Sequence, residues 1–196
     1  MNLQRLFKIQ AELDTAIIEK KGLHGKDLLA DRILALLVEL GECANEWRGF
    51  KFWSEDQEPR TFASRMKYSD PVNRHGAYPV SYSPLLEEYV DCLHFVLSIG
   101  NSLMEKYKFQ IEYEMPFKVL HSIPGQQFLT VFARVNDIDS MDFAGGYESH
   151  KYRNSYEALL KDFFGLGTTL RFSWEEVETA YLQKNKINHE RQVTGY

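Results

Sequence analysis

Glu39 and Glu42 stand three residues apart in ELGE, and Glu88 and Asp91 three apart in EYVD. On a helix, residues three or four apart share one face, so each segment presents two carboxylates side by side. Glu46 prolongs the first stripe by one turn. A stripe of this kind beside an apolar face is ordinarily solvated. The second segment is less ordinary, because Glu88 falls on the helical wheel between Phe95 and Ile99, on a flank expected to be buried. A buried carboxylate must be protonated, hydrogen-bonded or bound to a cation. Two helices that pool Glu39, Glu42, Glu88 and Asp91 would offer four hard oxygen donors, a set suited to Mg²⁺ or Mn²⁺. Glu87 falls on the opposite, polar face with His94 and Glu105 and is read as solvent-facing.

Two further groups of polar residues occupy faces that should be apolar. In the first helical segment Leu3, Leu6, Leu13 and Ile17 line one face, with Gln10 at its centre and Asp14 one turn later. Buried amide and carboxyl groups need partners, either a neighbouring helix or the edge of a planar ligand such as a nucleobase. In SWEEVETAYLQKNKINHERQ the face of Trp174, Val177 and Tyr181 continues into Lys184, Asn188 and Arg191. Cations near a helix C-terminus complement its dipole. Their alignment with the core side also suits an anionic ligand such as a triphosphate.

The elements that must position these residues are helical. Apolar residues recur at helical spacing through most of the chain, and short alternating patterns are nearly absent, which predicts an all-α bundle. Helices are expected at about residues 2–21, 27–49, 84–107, 125–139, 151–164 and 174–192. Ser83 before Pro84 reads as an N-cap with proline in the first turn, and Ser173 with Glu176 as a capping box. Residues 54–83 carry Pro59, Pro71 and Pro79 without a sustained period and read as one long loop, a feature that is commonly functional. It could meet a protein partner.

At 196 residues, 44% hydrophobic and 26% charged, the chain is expected to form one globular domain. No run approaches the roughly 20 apolar residues of a membrane helix, and the charged N-terminal stretch does not resemble a signal peptide, so a cytoplasmic protein without a membrane partner is expected. Cys43 and Cys92 lie within helical patterns and read as reduced and buried. The net charge of −5 argues against stable nucleic-acid binding while leaving phosphate recognition through a metal or a local basic cluster open.

The two acidic pairs, together with IQAELD, WRGFKFW and the closing KNKINHERQVTGY, resemble the dimeric dUTPase family of the all-α NTP pyrophosphatase superfamily. The resemblance spans most of the chain and is thinnest over residues 54–83 and 108–170. It implies a homodimer that hydrolyses dUTP to dUMP and pyrophosphate and also binds dUDP. By the same resemblance Glu39, Glu42, Glu88 and Asp91 would hold Mg²⁺, with Glu39 and Glu42 also serving catalysis beside Lys51. Lys184, Arg191 and Tyr196 would bind phosphates, Asn188 the metal or the sugar, and Gln10, Asp14 and Trp53 the uracil. The tail holding Arg191 and Tyr196 is expected to order when nucleotide binds. Asp14 departs from the asparagine expected at its position.

Three other readings compete. A pyrophosphatase for another nucleotide, such as dCTP, would keep the same fold. A di-iron bundle would use Asp91 and His94, but such sites require Glu-x-x-His on each of two helices and no second one is present. A non-catalytic helical dimer would use the long loop to bind a protein partner. The abundance of apolar residues in the third helix, more than a single neighbour would cover, agrees with a dimer.

Overall fold

The computed structural model describes residues 2–70, 75–114, 119, 121–144 and 148–194. Among them are six helices and one hairpin: α1 Leu3–Lys21, α2 Leu29–Trp47, β1 Ala63–Asp70, β2 His75–Tyr82, α3 Pro84–Tyr107, α4 Pro124–Ala144, α5 Ser149–Thr169 and α6 Trp174–Thr194. The all-α expectation holds.

Capping chemistry sets several of the helix ends. The Asn2 side chain accepts from the Arg5 amide at the start of α1, and Gly22, in the left-handed region at φ 63°, lets the chain turn back onto the carbonyls of Ile18 and Glu19. The Ser83 hydroxyl accepts from the Leu86 amide with Pro84 in the first turn of α3. At α6 the Ser173 amide donates to Glu176 Oε2 at 2.9 Å while the Glu176 amide donates to Ser173 Oγ at 3.2 Å, a complete capping box.

The helix α3 is the hub. It packs against α1, α2, α5 and α6, and Leu85, Tyr89, Leu93, Val96, Ile99 and Leu103 are all buried. Its apolar surface is thereby covered by several helices of one chain, so the abundance of apolar residues there, read from the sequence as agreeing with a dimer, is accounted for without one. Each further helix brings its own stripe: Leu29, Ile33, Leu36 and Leu40 from α2, Leu3, Leu6 and Leu13 from α1, and Val177 and Tyr181 from α6. Gly100 permits the closest approach of α3 to α5, because a Cβ there would collide with the Tyr156 ring and hydroxyl. The Tyr156 hydroxyl donates to the Val96 carbonyl across that contact at 2.9 Å.

Residues 54–83 are not one irregular loop. Ala63–Asp70 pairs antiparallel with His75–Tyr82, in a register running from Ala63 opposite Tyr82 to Asp70 opposite His75. The hairpin is invisible to periodicity because its side chains are mostly exposed, so neither face imposes the apolar alternation that marks a half-buried strand. Pro79, which argues for loop, sits opposite Met66 in a strand with a free edge, where no ladder donor is demanded of it.

Candidate active site

The helix α2 delivers Glu39 and Glu42, and α3 delivers Glu88, because their apolar faces lock the two helices together over their length. One carboxylate oxygen from each of the three glutamates lies within 4.8 Å of the other two. Glu42 is exposed, whereas Glu39 and Glu88 are half-buried. Burial, with the charges of Asp91 and Glu42 next in weight, pushes Glu39 up to about 7. Glu88 is pushed up to about 7 by burial and by Asp91, Glu42 and Glu39, while Lys184 pulls both back. Such a cluster stores repulsion that a divalent cation would relieve, and its donors are all hard oxygens. These residues fit Mg²⁺ or Mn²⁺.

Asp91, the fourth predicted ligand, is placed differently. Its Oδ2 accepts from Lys184 Nζ at 2.6 Å, and Lys184 also reaches Glu87 Oε1 at 3.5 Å. Burial raises the Asp91 carboxyl against the pull of Lys184. Glu87 is not the solvent-facing residue the helical wheel suggested. Arg65 of β1 holds it bidentately at 2.8 and 3.0 Å, so the hairpin closes over a position that would face water on an isolated helix. Glu46, the third glutamate of the α2 stripe, pairs with Arg60 at 3.3 Å and stands outside the cluster.

Glu39 and Asp91 also line a cavity of about 250 Å³ together with Gln10, Leu13, Asp14, Ile17, His94, Phe95, Ser98, Lys184, Asn188 and Arg191. Seven of the residues singled out in the sequence therefore meet at one opening: Gln10, Asp14, Glu39, Asp91, Lys184, Asn188 and Arg191. Arg191 donates to Asn188 Oδ1 at 3.3 Å from within α6. Tyr196, the other tail residue expected to order on binding, lies outside the described residues.

The inner wall of the cavity is a polar network. Gln10 Nε2 donates to Asp14 Oδ1 at 2.8 Å, the Ser98 hydroxyl donates to Asp14 Oδ2 at 2.7 Å, and Arg32 stands 3.8 Å from the same oxygen. Gln10 Oε1 accepts from the Tyr181 hydroxyl at 2.9 Å and lies 2.8 Å from His94 Nδ1. Burial raises the Asp14 carboxyl, opposed by Ser98, Arg32 and Gln10. Spacing alone puts His94 on a polar face. In the fold it is 6% exposed and stacked on Tyr181 at 4.3 Å, because α6 covers the side of α3 that α2 leaves open. Burial and the nearby Lys184 depress it to about 3. Ser98 is thus a wall residue that the sequence does not single out, and His94 one that it raised only as a candidate iron ligand. Their steps of three and then four along α3 from Asp91 are visible in it, but the helix that covers them is not.

Lys51 and Trp53 do not line this cavity. The α2 helix ends at Arg48, held in the left-handed region at φ 63°, whose guanidinium is tied to the Asp56 carbonyl at 2.8 Å and its carboxylate at 3.0 Å. That anchored turn sends the next segment outward, with Trp53 65% exposed and edge-on to Phe50 and Phe52.

No helix among the described residues is long and apolar enough to cross a membrane. A comparison with curated proteins gave no match. A family model described as dUTPase matches residues 2–72 and 77–196. With that match running over almost the whole sequence and through both acidic pairs, the chain belongs to the dUTPase family.

Proposed function

We propose that the chain hydrolyses dUTP to dUMP and pyrophosphate at the cavity between α1, α3 and α6, with Glu39, Glu42 and Glu88 as the divalent-metal site. One observation carries this reading: Glu39 belongs both to the three-glutamate cluster and to the wall of the polar cavity. A phosphate chain leaving that cavity would run directly along the carboxylates. The cavity of about 250 Å³ lies just below the roughly 300–1,000 Å³ typical of small-molecule sites, which suits a base and part of its sugar with the phosphates outside.

In this reading Glu39, Glu42 and Glu88 hold Mg²⁺ or Mn²⁺, and Asp91 joins them when Lys184 turns to the substrate. The bound ion would neutralise phosphate charge and acidify a water. Glu39, which belongs both to the carboxylate cluster and to the cavity wall, is positioned to take the proton of that water. Lys184 and Arg191 take the phosphates, with Tyr196 as a further candidate; Asn188 meets the sugar. Gln10 and Asp14 face the base, and bound dUDP would occupy the same groups as dUTP. Lys51 and Trp53 have no part in it within a single chain.

A homodimer also belongs to the proposal, on a different surface from the one the sequence suggested. Leu34 and Val38, one turn apart on α2, are 62% and 51% exposed, and Phe50, Phe52 and Trp53 continue the apolar surface beyond its end.

The test is pyrophosphate release with Mg²⁺ from dUTP, dTTP and UTP, comparing the native chain with Glu42→Gln. Glu42 is exposed, so its variant should fold normally. Selective release from dUTP that drops by several orders of magnitude in the variant supports both substrate and site. Undiminished release from the variant would remove the glutamate cluster from the reaction.

A further inference from the structure

We propose that a groove beside the hairpin receives the terminal phosphate of the nucleotide, and that Arg60 and Arg65 thereby make the site prefer a triphosphate over a diphosphate. This rests on the reading of the glutamate cluster and the polar cavity as the catalytic site.

The cluster has an opening on each side. Glu39 lines the polar cavity, whereas Glu88 lines a separate groove of about 660 Å³ with Glu46, Glu87, Arg60, Arg65 and Tyr82. The cluster oxygens lie within 4.8 Å of one another, a span shorter than a triphosphate chain. A nucleotide whose base fills the cavity and whose phosphates cross the cluster therefore brings its last phosphate into the groove. A diphosphate is one unit shorter and ends at the carboxylates. Bound dUDP thus meets the same groups as dUTP except the two arginines.

Both arginines are positioned by contacts within the chain. The Arg60 amide donates to the Glu46 carbonyl at 2.9 Å, and the Arg60 carbonyl accepts from the Leu85 amide at 3.0 Å. Its main chain is thereby clamped between the last turn of α2 and the first turn of α3, the two helices that carry the cluster. Its guanidinium reaches Glu46 Oε1 at 3.3 Å, and Glu46 Oε2 has no partner of its own, so the carboxylate keeps Arg60 at this edge. Arg65 uses Nη1 on Glu87 and lies 4.2 Å over the Tyr82 ring, which fixes the plane of its guanidinium. The two side chains are 52% and 41% exposed, and a guanidinium carries five N–H donors in a fork that matches phosphate. Each arginine therefore keeps donors for an anion in the groove.

The charges favour that anion once the cluster holds a divalent cation. Glu46 and Glu87 are each balanced by one arginine, which leaves Glu88, and Glu88 belongs to the metal site. With the cation in place the groove turns positive. The chemical step is unchanged: a water oxygen bonds to phosphorus, the bridging P–O bond breaks, and pyrophosphate leaves from dUTP where phosphate leaves from dUDP. Arginines on the far phosphate stabilise the charge that develops on the departing pyrophosphate. Residues 54–83 thereby gain a part in the reaction through the arginines they carry.

The experiment measures kcat/KM for dUTP and dUDP with Mg²⁺ in the native chain, Arg60→Gln and Arg65→Gln. Calorimetry with Mg²⁺ measures binding of pyrophosphate and of dUMP to the same proteins, a readout that needs no turnover. The native chain should prefer dUTP. Each variant should lower kcat/KM for dUTP about tenfold or more, the weight of a charge-assisted hydrogen bond, with dUDP nearly unchanged. Pyrophosphate binding should weaken and dUMP binding should not. Arg60→Lys, which keeps the charge without the fork, should recover part of the loss. Arginines that merely hold α2, the hairpin and α3 together would lower both nucleotides alike and weaken dUMP as well, which overturns the proposal. Equal kcat/KM for dUTP and dUDP in the native chain, or variants with undiminished dUTP turnover and pyrophosphate binding, also overturn it while leaving the dUTP reading intact. A native chain that turns over neither nucleotide ends both.

Discussion

Lys184 Nζ lies 2.6 Å from Asp91 Oδ2 and 3.5 Å from Glu87 Oε1, so one cation from α6 clasps two acidic residues one turn apart on α3. Two of the groups assigned to substrate and metal therefore neutralise each other. The pair is mostly buried, with side chains 17% and 18% exposed, where the loss of one partner is felt more than at a surface. Nucleotide and metal together can exchange this contact for two others, Lys184 with phosphate and Asp91 with the ion.

Replacing Lys184 by methionine should raise KM and lower kcat/KM by roughly 10- to 100-fold, the weight of one charge-assisted hydrogen bond of about 1.5–3 kcal/mol. Lys184 also holds down the carboxyls of Glu39 and Glu88. Its removal disfavours their ionised forms, so the acid limb of the pH–rate profile should move to higher pH. A pH profile superimposable on that of the native chain would show that Lys184 is not coupled to the glutamates.

The metal-free protein should lose stability as pH rises from about 4.5 to 7. Glu39 and Glu88 titrate at about 7 in the folded chain against 4.5 in the unfolded one, so the folded state binds more protons in that window and stability falls with rising pH. Asp14 and Asp91, raised in the same direction, extend the trend toward the acid side. Melting temperatures in EDTA should be lower at pH 8 than at pH 5.5, and Mg²⁺ should recover the difference at pH 8. A melting temperature in EDTA that increases over this range would contradict the buried repulsion described above.

The Arg65–Glu87 pair joins the hairpin to α3, but both side chains are partly exposed, at 41% and 24%. Arg65→Ala should therefore cost no more than about 1 kcal/mol of global stability. Amide exchange in Ala63–Asp70 and His75–Tyr82 should quicken nonetheless, since this contact ties the strands to the bundle. Exchange rates identical to those of the native chain would assign the hairpin's position to other contacts.

At Gly100 a methyl group would strike the Tyr156 ring and would lie 2.8 Å from the Phe7 ring. Gly100→Ala should destabilise the protein by about 1–3 kcal/mol, read as a lower denaturant midpoint with unchanged slope. An unaffected midpoint would mean that α3 and α5 can separate at no cost.

If a second copy docks on the exposed residues of α2, Val38→Asp should shift the chain from dimer to monomer in light scattering without lowering its helical content. A dimer that survives this change would place the interface elsewhere.

Helical spacing by itself determined where α2, α3 and α6 lie and which residues share a face, because a 3.6-residue period converts sequence separation directly into angle. Glu39 with Glu42, Gln10 with Asp14, and Lys184 with Asn188 and Arg191 were all legible for that reason. The Ser83 N-cap and the Ser173–Glu176 capping box were legible too, since they are satisfied within a few residues. What surrounds each helix was not. Whether Glu87 or His94 faces water depends on which element lies over it, and the covering elements come from 22 residues earlier in one case and from α6 in the other. The hairpin was hidden because backbone pairing between exposed strands leaves no apolar period to read. Tertiary structure alone decided that Asp91 turns to Lys184 while three glutamates gather without it, because charges distant in sequence choose partners by distance and burial, which no spacing rule contains.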